Sequence, residues 1–372
     1  MRIDPFGVEQ WMNAHEDHCR FNIAETCVDS LTVGGLLELA GRNDDLSALA
    51  PTRLGYGAIP GSNRLRDAIA ALYRGRSRED VLVAHGTAGA NALVWQALAG
   101  PGHRVVSLVP TYQQHLSIPE SLGAEVVRVP LSAAEGWLPD WDAVARAVTP
   151  GTKLVALTNP NNPTSSLIDA EGLSRLVEIA RAVGADLLVD EVYRNTAQEG
   201  DGATPSIADL YERGIATCGM SKAYSLAGLR LGWIVGPPDV LEAVALHRDY
   251  TTISVGVLDD HLAATALEAP ERILARTRAI TRRNLALIDD WIATEPRVDW
   301  VRPRAGTTGL LRYGIEMGSE ALCLALLEEE GVLLTPGGVM GAEGYLRIGF
   351  GNATEILQAA LPRLSAFLAR QD

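Results

Sequence analysis

The sequence lacks the features that would place the protein in a membrane, in a secretory pathway or on nucleic acid. The N-terminus has no apolar run of the signal-peptide type, and no later stretch reaches the length of a membrane span. Acidic residues outnumber basic ones, 46 against 32, and the net charge of −14 argues against nucleic acids and anionic membranes as partners. We therefore expect a cytoplasmic protein.

Cysteine is scarce, and its spacing does not suggest a metal site. The four cysteines are scattered, so we expect free thiols in a reducing compartment and no bound metal. Internal repeats and low-complexity segments are also missing. The cysteines are Cys19, Cys27, Cys218 and Cys323.

What is present is the composition of a globular enzyme, with 47% apolar and 21% charged residues. A chain of 372 residues favours one large domain with a smaller one packed on it. Between Val81 and Gly236, apolar runs alternate with helical segments, which predicts a largely parallel sheet buried on both faces. We place the large domain at 45–255, and a discontinuous small α+β domain at 1–44 and 256–372.

One lysine stands among small residues, in the stretch TCGMSKAYSLAGLRLGWIVG at 217–236. Lys222 lies beside Ser221 and close to Gly219, which favours a crevice over a solvated surface. A desolvated lysine loses its proton more easily, and the neutral amine can form a Schiff base with a carbonyl. Arg230, eight residues on, suits a phosphate group because its donor fork matches phosphate oxygens. A solvated loop lysine is the alternative.

Further candidates follow the predicted strands, at the edge where ligands bind in open α/β sheets. The turn 86–89 (GTAG) opens a helix whose N–H groups suit a phosphate. Tyr112 could cover a planar ring, although core packing is the alternative. Two Asn-Pro steps within 159–164 predict a rigid turn that directs the Asn162 side chain inward. Asp190 ends an apolar strand, where a carboxylate is costly unless it is paired with a group such as a protonated ring nitrogen; an N-cap or an ion pair is the alternative.

Together these residues form a pattern that we recognise. NPNNPT at 159–164, DEVY at 190–193, and SK at 221–222 followed by Arg230 resemble the motifs of class I and II aminotransferases. Those are pyridoxal-5′-phosphate (PLP) enzymes of fold type I. YGAIPGSNRLRDAI upstream and GYLRIGFG downstream match as well, so the resemblance covers nearly the whole chain. It implies PLP as cofactor and an α/β fold: a mostly parallel seven-stranded sheet in the large domain, plus the smaller α+β domain.

The resemblance also implies a role for each matching residue. Lys222 resembles the lysine that binds PLP and shuttles the α-proton, and Asp190 resembles the partner of the pyridinium nitrogen. Arg347 is similar to the arginine that clamps the substrate carboxylate; a surface charge on a strand is the alternative. Tyr56 resembles the tyrosine that reaches the phosphate of the neighbouring subunit, which implies a homodimer with shared sites. Asn162 and Tyr193 would bond the ring oxygen, Tyr112 would stack on the ring, and the phosphate would be held by Thr87, Ala88, Ser221 and Arg230.

Three positions depart from the family pattern. Gly219 stands where many members have a phosphate-binding serine, and Ser165 stands where a glycine usually follows NPNNPT. The segment FNIAETCVDS at 21–30 places Glu25 where ordinary members carry a glycine-containing loop over the substrate. It resembles the start of PLP enzymes that oxidise or cyclise arginine and hydroxyarginine, and an acidic residue there suits a guanidinium. The alternative is a capping glutamate or a peripheral ion pair. Further candidates for the pocket wall are Glu16, Asp17, His115 and Asp249, each with a structural alternative.

We therefore predict a PLP-dependent aminotransferase that acts on a small L-amino acid through an external aldimine and a quinonoid. The alternative is a PLP lyase, cyclase or oxidase of specialised metabolism with an arginine-like substrate. Two further classes are disfavoured by missing features. A DNA-binding regulator would carry a basic extension, and a dinucleotide-binding oxidoreductase would need GxGxxG, which HGTAGAN at 85–91 does not supply.

Overall fold

The computed structural model describes residues 2–42, 47 and 49–371. The helices are α1 (Gly7–His15), α2 (Val33–Ala40), α3 (Asn63–Ala70), α4 (Gly86–Leu98), α5 (Gln114–Ser121), α6 (Trp141–Ala147), α7 (Ala170–Val183), α8 (Pro238–Asp249), α9 (Val257–Leu267), α10 (Pro270–Ile292), α11 (Ser319–Glu330) and α12 (Thr354–Leu368). The strands are β1 (Phe21–Asn22), β2 (Val81–Ala84), β3 (Arg104–Val109), β4 (Glu125–Pro130), β5 (Thr152–Thr158), β6 (Asp186–Asp190), β7 (Gly214–Gly219), β8 (Gly232–Val235), β9 (Val298–Trp300), β10 (Thr308–Tyr313), β11 (Val332–Leu333), β12 (Thr335–Pro336) and β13 (Tyr345–Gly349).

The predicted seven-stranded sheet is confirmed, with the strand order β2-β8-β7-β6-β5-β3-β4. Strands β3 to β7 pair in parallel, and β8 is antiparallel to both of its neighbours. All residues of β2, β6, β7 and β8 are buried, as expected for strands covered by helices on both faces. The carboxyl ends of the parallel strands therefore meet at one edge, where the candidate residues follow them.

Helix α4 begins at Gly86, so the predicted turn 86–89 forms the first turn of the helix itself. Its first turn, GTAG, consists of small residues that lack a helical apolar period, and its N-cap residue His85 makes no side-chain cap. The glycines Gly219 and Gly232 make room for this turn. A Cβ at Gly219 would lie 2.6 Å from Thr87 Oγ1, and one at Gly232 would lie 2.6 Å from the Thr87 nitrogen. The helix N-terminus is thus seated directly on the edge of the sheet.

The C-terminal part contains a second sheet with the order β12-β13-β10-β9, in which neighbouring strands are antiparallel. The short strands β1 and β11 pair in parallel beside it. Its core includes Trp11 and Ile23 from the N-terminal part, together with Leu311, Leu326 and Phe350. The N-terminal residues therefore complete this region, in keeping with a discontinuous small domain.

The domain boundaries themselves remain a prediction. Side chains of α9 and of the first turns of α10, such as Leu262 and Ile273, belong to the core of the large sheet, whereas Leu285 and Ile288 belong to the core of the smaller one. We therefore propose that the change of core falls within α10 and not at residue 256. Residues 43–46, which include the other predicted boundary, lie outside the described residues.

The helical region after residue 237 consists of α8, α9 and α10, with breaks at 250–256 and at 268–269. Helix α10 starts with Pro270, a residue that the first helical position accepts because no N–H is needed there. No helix in the described part of the chain is long and apolar enough to cross a membrane.

Candidate active site

A cavity of about 300 Å³ lies where the carboxyl edge of the large sheet meets α1, the segment 21–30 and β13. We call it the first cavity. Of the predicted site residues, Tyr56 does not line it; that side chain is 85% exposed on the segment between α2 and α3. The predicted residues that do line it are Glu25, Thr87, Ala88, Tyr112, Asn162, Asp190, Tyr193, Ser221, Lys222, Arg230 and Arg347.

One end of the first cavity is built to hold an anion. Thr87 and Ala88 lie in the first turn of α4, where backbone N–H groups have no partner within the helix. The Thr87 hydroxyl is buried and has no hydrogen-bond partner among the described residues. Arg230 comes close to the same turn, since a Cβ on Gly86 would lie 3.1 Å from its Nη2 atom. A side chain at Gly219 would collide with Thr87, because a Cβ there would lie 2.6 Å from Thr87 Oγ1.

Asp190 forms the buried floor of the first cavity and is only 3% exposed. Its Oδ2 accepts a hydrogen bond from Asn91 Nδ2 at 2.7 Å, and its Oδ1 accepts one from the Val192 N–H at 3.0 Å. Asn91 is fixed in turn by the Thr217 hydroxyl, which donates to its Oδ1 at 2.6 Å. Burial raises the pKa of Asp190 to about 6, although these hydrogen bonds oppose the shift. A cation beside Asp190 would remove this cost.

His115 does not supply that cation. It is fully buried, with its Nε2 at 4.0 Å from Asp190 Oδ2 and its ring against Trp95. Burial lowers the pKa of His115 to about 3, so the ring is neutral under ordinary conditions. Of the other pocket-wall candidates, Glu16 lines the first cavity, whereas Asp17 and Asp249 do not.

The amine of Lys222 faces the segment 21–30 across the first cavity. Its Nζ donates hydrogen bonds to Thr26 Oγ1 at 2.5 Å and to Cys27 Sγ at 3.0 Å. The sequence predicts that desolvation makes this lysine lose its proton more easily, and the structure corrects that expectation. Burial does lower the pKa of Lys222, but Cys27, Tyr193 and Glu25 outweigh it and raise the pKa overall.

Glu25 combines a capping role with a place in the cavity wall. Its Oε1 accepts hydrogen bonds from the N–H groups of Thr26 and Cys27, each at 2.6 Å. Burial alone would raise the pKa of Glu25, but the Lys222 charge and these N–H groups lower it, so the side chain is ionised at neutral pH. Both functions weighed for Glu25 from the sequence are therefore compatible with its position.

The segment 21–30 can lie over the cavity because two glycines beside it have no Cβ that would collide with its backbone. A Cβ on Gly349 would lie 1.8 Å from the Glu25 carbonyl oxygen, and one on Gly351 would lie 2.6 Å from the Cys27 carbonyl oxygen. The Gly349 N–H donates to the Ile23 carbonyl at 2.7 Å. The last two glycines of GYLRIGFG thus allow the backbone of Glu25, Thr26 and Cys27 to pack closely enough to lie over the site.

Arg347 is 4% exposed, and no carboxylate of the described residues lies within ion-pair distance of it. Its Nη1 donates to Asn162 Oδ1 at 3.4 Å and its Nη2 to Thr335 Oγ1 at 3.3 Å, while its Nε has no partner among the described residues. A buried guanidinium with these long contacts is suited to bind a carboxylate from outside the chain. It does not lie on the surface, so the alternative weighed from the sequence is wrong.

Several residues at the site were missed in the sequence. Asn91 gives no motif signal, since its contact with Asp190 joins residues 99 positions apart. From the sequence, Thr26 stands out only as the neighbour of Glu25 and Cys27 only as a free thiol, because their contact with Lys222 spans nearly 200 positions. Ser165, which the sequence analysis names as a departure from the family pattern, does not line the first cavity; it adopts a left-handed φ of 52°.

These residues fit PLP. The unpartnered Thr87 hydroxyl and the first turn of α4 suit its phosphate, the buried Asp190 suits its ring nitrogen, and Lys222 supplies a primary amine for its aldehyde. Arg347 remains free for the carboxylate of a substrate. The roles of the individual residues stay predictions, but the arrangement can bind an amino acid beside a PLP ring.

Comparisons with known proteins agree with this geometry. Residues 31–364 match the family model of aminotransferase class I and II. Capreomycidine synthase of Streptomyces vinaceus is 30% identical over 96% of this chain and 92% of its own. Arginine–pyruvate transaminase of Pseudomonas aeruginosa is 30% identical over 83% of this chain and 81% of its own.

Solved structures give the same result. A PLP-dependent aminotransferase from Streptococcus suis has a TM-score of 0.96 and 42% identity, over 100% of this chain and 99% of its own. The PLP-dependent cyclase OrfR has a TM-score of 0.92 and 31% identity, over the same shares of the two chains. With the fold, the site geometry and the family match in agreement, the chain belongs to the class I and II aminotransferases, the PLP-dependent enzymes of fold type I.

Proposed function

We propose that this enzyme transfers the amino group of an L-amino acid with a cationic, arginine-like side chain to a 2-oxo acid. The observation that carries the proposal is the charge of the cavity wall. Apart from Asp190, the carboxylates that line the first cavity are Glu9, Glu16 and Glu25, all from the N-terminal part of the chain. Burial opposes the ionisation of Glu25, but the Lys222 charge and the neighbouring backbone N–H groups lower its pKa overall, so Glu25 is negative at neutral pH. The wall beside the reacting lysine is thus negative, which favours a cationic side chain.

Each end of such a substrate has a complementary group. Arg347 would bind the α-carboxylate through its buried guanidinium, and Glu25 would face the guanidinium or ammonium at the other end. The Glu25 Oε1 is occupied by two backbone N–H groups, so Oε2 is the oxygen available to the substrate. The name of the arginine–pyruvate transaminase supports this choice of donor.

The chemistry divides between cofactor and protein. When bound, PLP supplies an aldehyde that condenses with amines and a ring that withdraws electrons from the amino acid's Cα. Lys222 Nζ would take the proton from Cα and return it on the other side of the amino nitrogen, to the carbon that was the aldehyde of PLP. Thr26 and Cys27 would hold the amine of Lys222 whenever it is free, at the positions their hydrogen bonds mark. Asp190 would keep the ring nitrogen protonated, with Asn91 and Val192 fixing its two oxygens.

A homodimer with shared sites is part of the proposal. Tyr56 is exposed, as are Leu54 and Ile59 on the same segment and Tyr250 after α8. An apolar surface of this kind suits a subunit interface. Tyr56 would then reach the PLP phosphate of the partner subunit. Location in the cytoplasm likewise remains a prediction.

The absorption spectrum of the PLP-loaded protein tests the proposal. Arginine or ornithine should convert PLP to pyridoxamine phosphate at far lower concentration than alanine or glutamate, and a 2-oxo acid should restore the original spectrum. Equal conversion by neutral or acidic amino acids would reject the cationic side chain. No conversion by any amino acid would reject transamination.

A second candidate is cyclisation or elimination on the same class of substrate, which the likeness to the cyclase OrfR favours. The early steps are shared, and the outcome depends on whether a leaving group is present at the β or γ carbon. Mass spectrometry of the products from arginine and hydroxyarginine separates the two. Loss of water from hydroxyarginine without pyridoxamine phosphate would favour the second candidate.

A further inference from the structure

Two neighbouring residues contact the amine of Lys222 from the same side. Lys222 Nζ donates one hydrogen bond to Thr26 Oγ1 and another to Cys27 Sγ, the latter at 3.0 Å. Within the part of the chain that the structure describes, Nζ makes no further hydrogen bond. Both contacts come from the segment 21–30, where the sequence departs from the family pattern. The amine therefore has one bonded side, which is the side of this segment.

The backbone of the segment 21–30 is fixed at this point. The Thr26 N–H donates to Glu25 Oε1 at 2.6 Å, and the Thr26 carbonyl accepts from the Thr307 hydroxyl at 2.6 Å. Asn22 Oδ1 accepts from the N–H groups of Ala24 and Glu25, at 3.0 and 3.1 Å. Because these hydrogen bonds restrain the chain on both sides of Thr26, its Oγ1 and the adjacent sulfur are acceptors in fixed positions.

Each of the two acceptors also has a partner on its far side. Burial raises the pKa of Tyr193, and a hydrogen bond from the Thr26 hydroxyl is among the interactions that oppose this shift. Burial likewise raises the pKa of Cys27, so the thiol keeps its proton at neutral pH, and it hydrogen-bonds the Glu25 carboxylate. Because their own protons point at Tyr193 and Glu25, the hydroxyl and the thiol both present lone pairs to Lys222.

The shape of an amine turns these two contacts into an orientation. A neutral lysine amine has two N–H bonds, one lone pair and the bond to Cε, directed to the corners of a tetrahedron. When the two N–H bonds point at Thr26 and Cys27, the lone pair occupies the remaining corner, which faces away from the segment 21–30. A base removes a proton along its lone pair, so this orientation decides which proton Lys222 can reach.

We infer that Thr26 and Cys27 are positioning residues that orient the lone pair of Lys222 Nζ toward the Cα proton of the bound substrate. The inference rests on the proposed function, but only on its first step, which transamination and cyclisation share. In this step the proton moves from Cα to Nζ, and the electron pair of the C–H bond stays with the substrate. Thr26 and Cys27 keep their own protons, and no oxidant or reductant takes part. The new N–H bond is then the one that neither residue binds, so it is the one whose proton can be returned.

Nuclear magnetic resonance of the lysine side chains tests the orientation without measuring turnover. The chain has two lysines, so carbon-13 labelling of Cε gives two signals, and Lys153 serves as the internal reference. In protein loaded with pyridoxamine phosphate, which leaves the lysine amine free, the two ε-hydrogens of Lys222 should have separate chemical shifts. The double variant Thr26→Val, Cys27→Ala should bring these shifts together and leave Lys153 unchanged. Averaged shifts in the original protein, or separate shifts in the double variant, would overturn the inference.

The second measurement follows the proton itself. The PLP-loaded protein is incubated with arginine or with alanine in heavy water, and mass spectrometry measures the incorporation of deuterium at Cα. Thr26→Val keeps the size of the side chain and removes the acceptor, so the maximal exchange rate should fall about ten-fold, while KM changes less than about two-fold. Thr26→Ser should restore the rate, because the hydroxyl returns.

Cys27 should contribute less than Thr26. Cys27→Ala should lower the exchange rate about three-fold, since sulfur is a weak acceptor, and Cys27→Ser should not lower it. Cys19→Ala is the matched control, because the Cys19 thiol donates to the Glu16 carbonyl and does not contact Lys222. Exchange in Thr26→Val at the original rate, or an equal loss in Thr26→Ser, would overturn the inference and leave the proposed function intact. If neither amino acid exchanges its Cα proton in the original protein, the proposed function fails and the inference fails with it.

Discussion

The first cavity shares Arg347 in its wall with a larger cavity of about 570 Å³, the second cavity, and the two differ in how their charges are arranged. The first cavity keeps ionisable groups without full partners: a buried Asp190, an arginine with long contacts and an acidic wall. In the second cavity Glu120 and Glu343 are bonded to neighbours, and the remaining wall is largely apolar. Unpaired charge in a protein interior is costly and is found where a ligand or a reaction requires it. The contrast marks the first cavity as the place where chemistry is expected.

The largest effect is expected from Lys222→Ala, because this change removes the amine that would hold PLP and move the Cα proton of both substrates. Turnover should fall at least about a thousand-fold with any donor and any acceptor. The chain has one other lysine, Lys153, which pairs with Asp186 at 3.3 Å away from the cavity. Borohydride reduction of the PLP-loaded protein followed by peptide mapping should therefore label Lys222 and not Lys153. Full activity of Lys222→Ala, or label on Lys153, would contradict the assignment.

Arg347→Gln is expected to cause a smaller loss of activity, which affects the amino donor and the acceptor alike. Loss of a charged, two-pronged carboxylate site should lower kcat/KM about a hundred-fold for the cationic donor and for the 2-oxo acid acceptor alike. The half-reactions, followed by the cofactor spectrum, measure the two losses separately. Arg312→Gln on the adjacent strand β10 is the control, since Arg312 is exposed and paired with Asp299. A loss of kcat/KM confined to one substrate would show that donor and acceptor do not both bind their carboxylate at this arginine.

Much of this comparison could be predicted from the sequence. The strand–helix alternation predicts the parallel sheet. Strand ends in such a sheet meet at one edge, which is why Asp190, Asn162 and Lys222 converge. What pattern reasoning missed are contacts between distant segments, such as Lys222 with Thr26 and Cys27. Such contacts depend on how the small sheet packs against the large one. The direction of the Lys222 pKa shift could not be predicted for the same reason. Burial lowers this pKa and neighbouring groups raise it, and only the folded chain brings those neighbours close to the lysine.

The cost of the unpaired charge can be measured through Asp190→Asn in the PLP-free protein. The folded-state pKa of Asp190 is about 6, above the ordinary value of 3.8, so the folded form binds the proton more tightly than the unfolded form. As pH rises from 4 to 6 this group therefore lowers the free energy of unfolding, by roughly 3 kcal/mol in total. The variant lacks that loss of stability. The Asn91 amide can turn over, so that its oxygen accepts from the new amide and its nitrogen donates to the Thr217 hydroxyl.

Urea unfolding at pH 4.5 and pH 7.5 provides the measurement. Asp190→Asn should be more stable than the original protein at pH 7.5, by up to about 3 kcal/mol, and should lose most of this advantage at pH 4.5. Asp186→Asn is the matched control with the opposite sign. Its carboxylate accepts from Arg213 at 2.7 Å and lies 3.3 Å from Lys153, so the change should destabilise the protein. A destabilised Asp190→Asn at pH 7.5 would mean that its charge is already compensated within the chain.

The smallest effect, and the one that best separates the two cavities, is expected from Glu25→Gln. Glutamine keeps the Oε1 that accepts from Thr26 and Cys27, so the cap and the course of segment 21–30 are preserved while the charge is lost. The charge also acts on Lys222, and that part of the effect must be equal for all substrates. Any additional loss with cationic donors therefore measures contact with the substrate side chain. We expect it to be about ten-fold in KM for arginine relative to alanine. Glu120→Gln, the same change at the rim of the second cavity, should leave this ratio unchanged, because Glu120 is paired with Arg128. An equal loss for arginine and alanine in Glu25→Gln would assign Glu25 to capping and to Lys222 alone, and the cationic donor would then lose its main support.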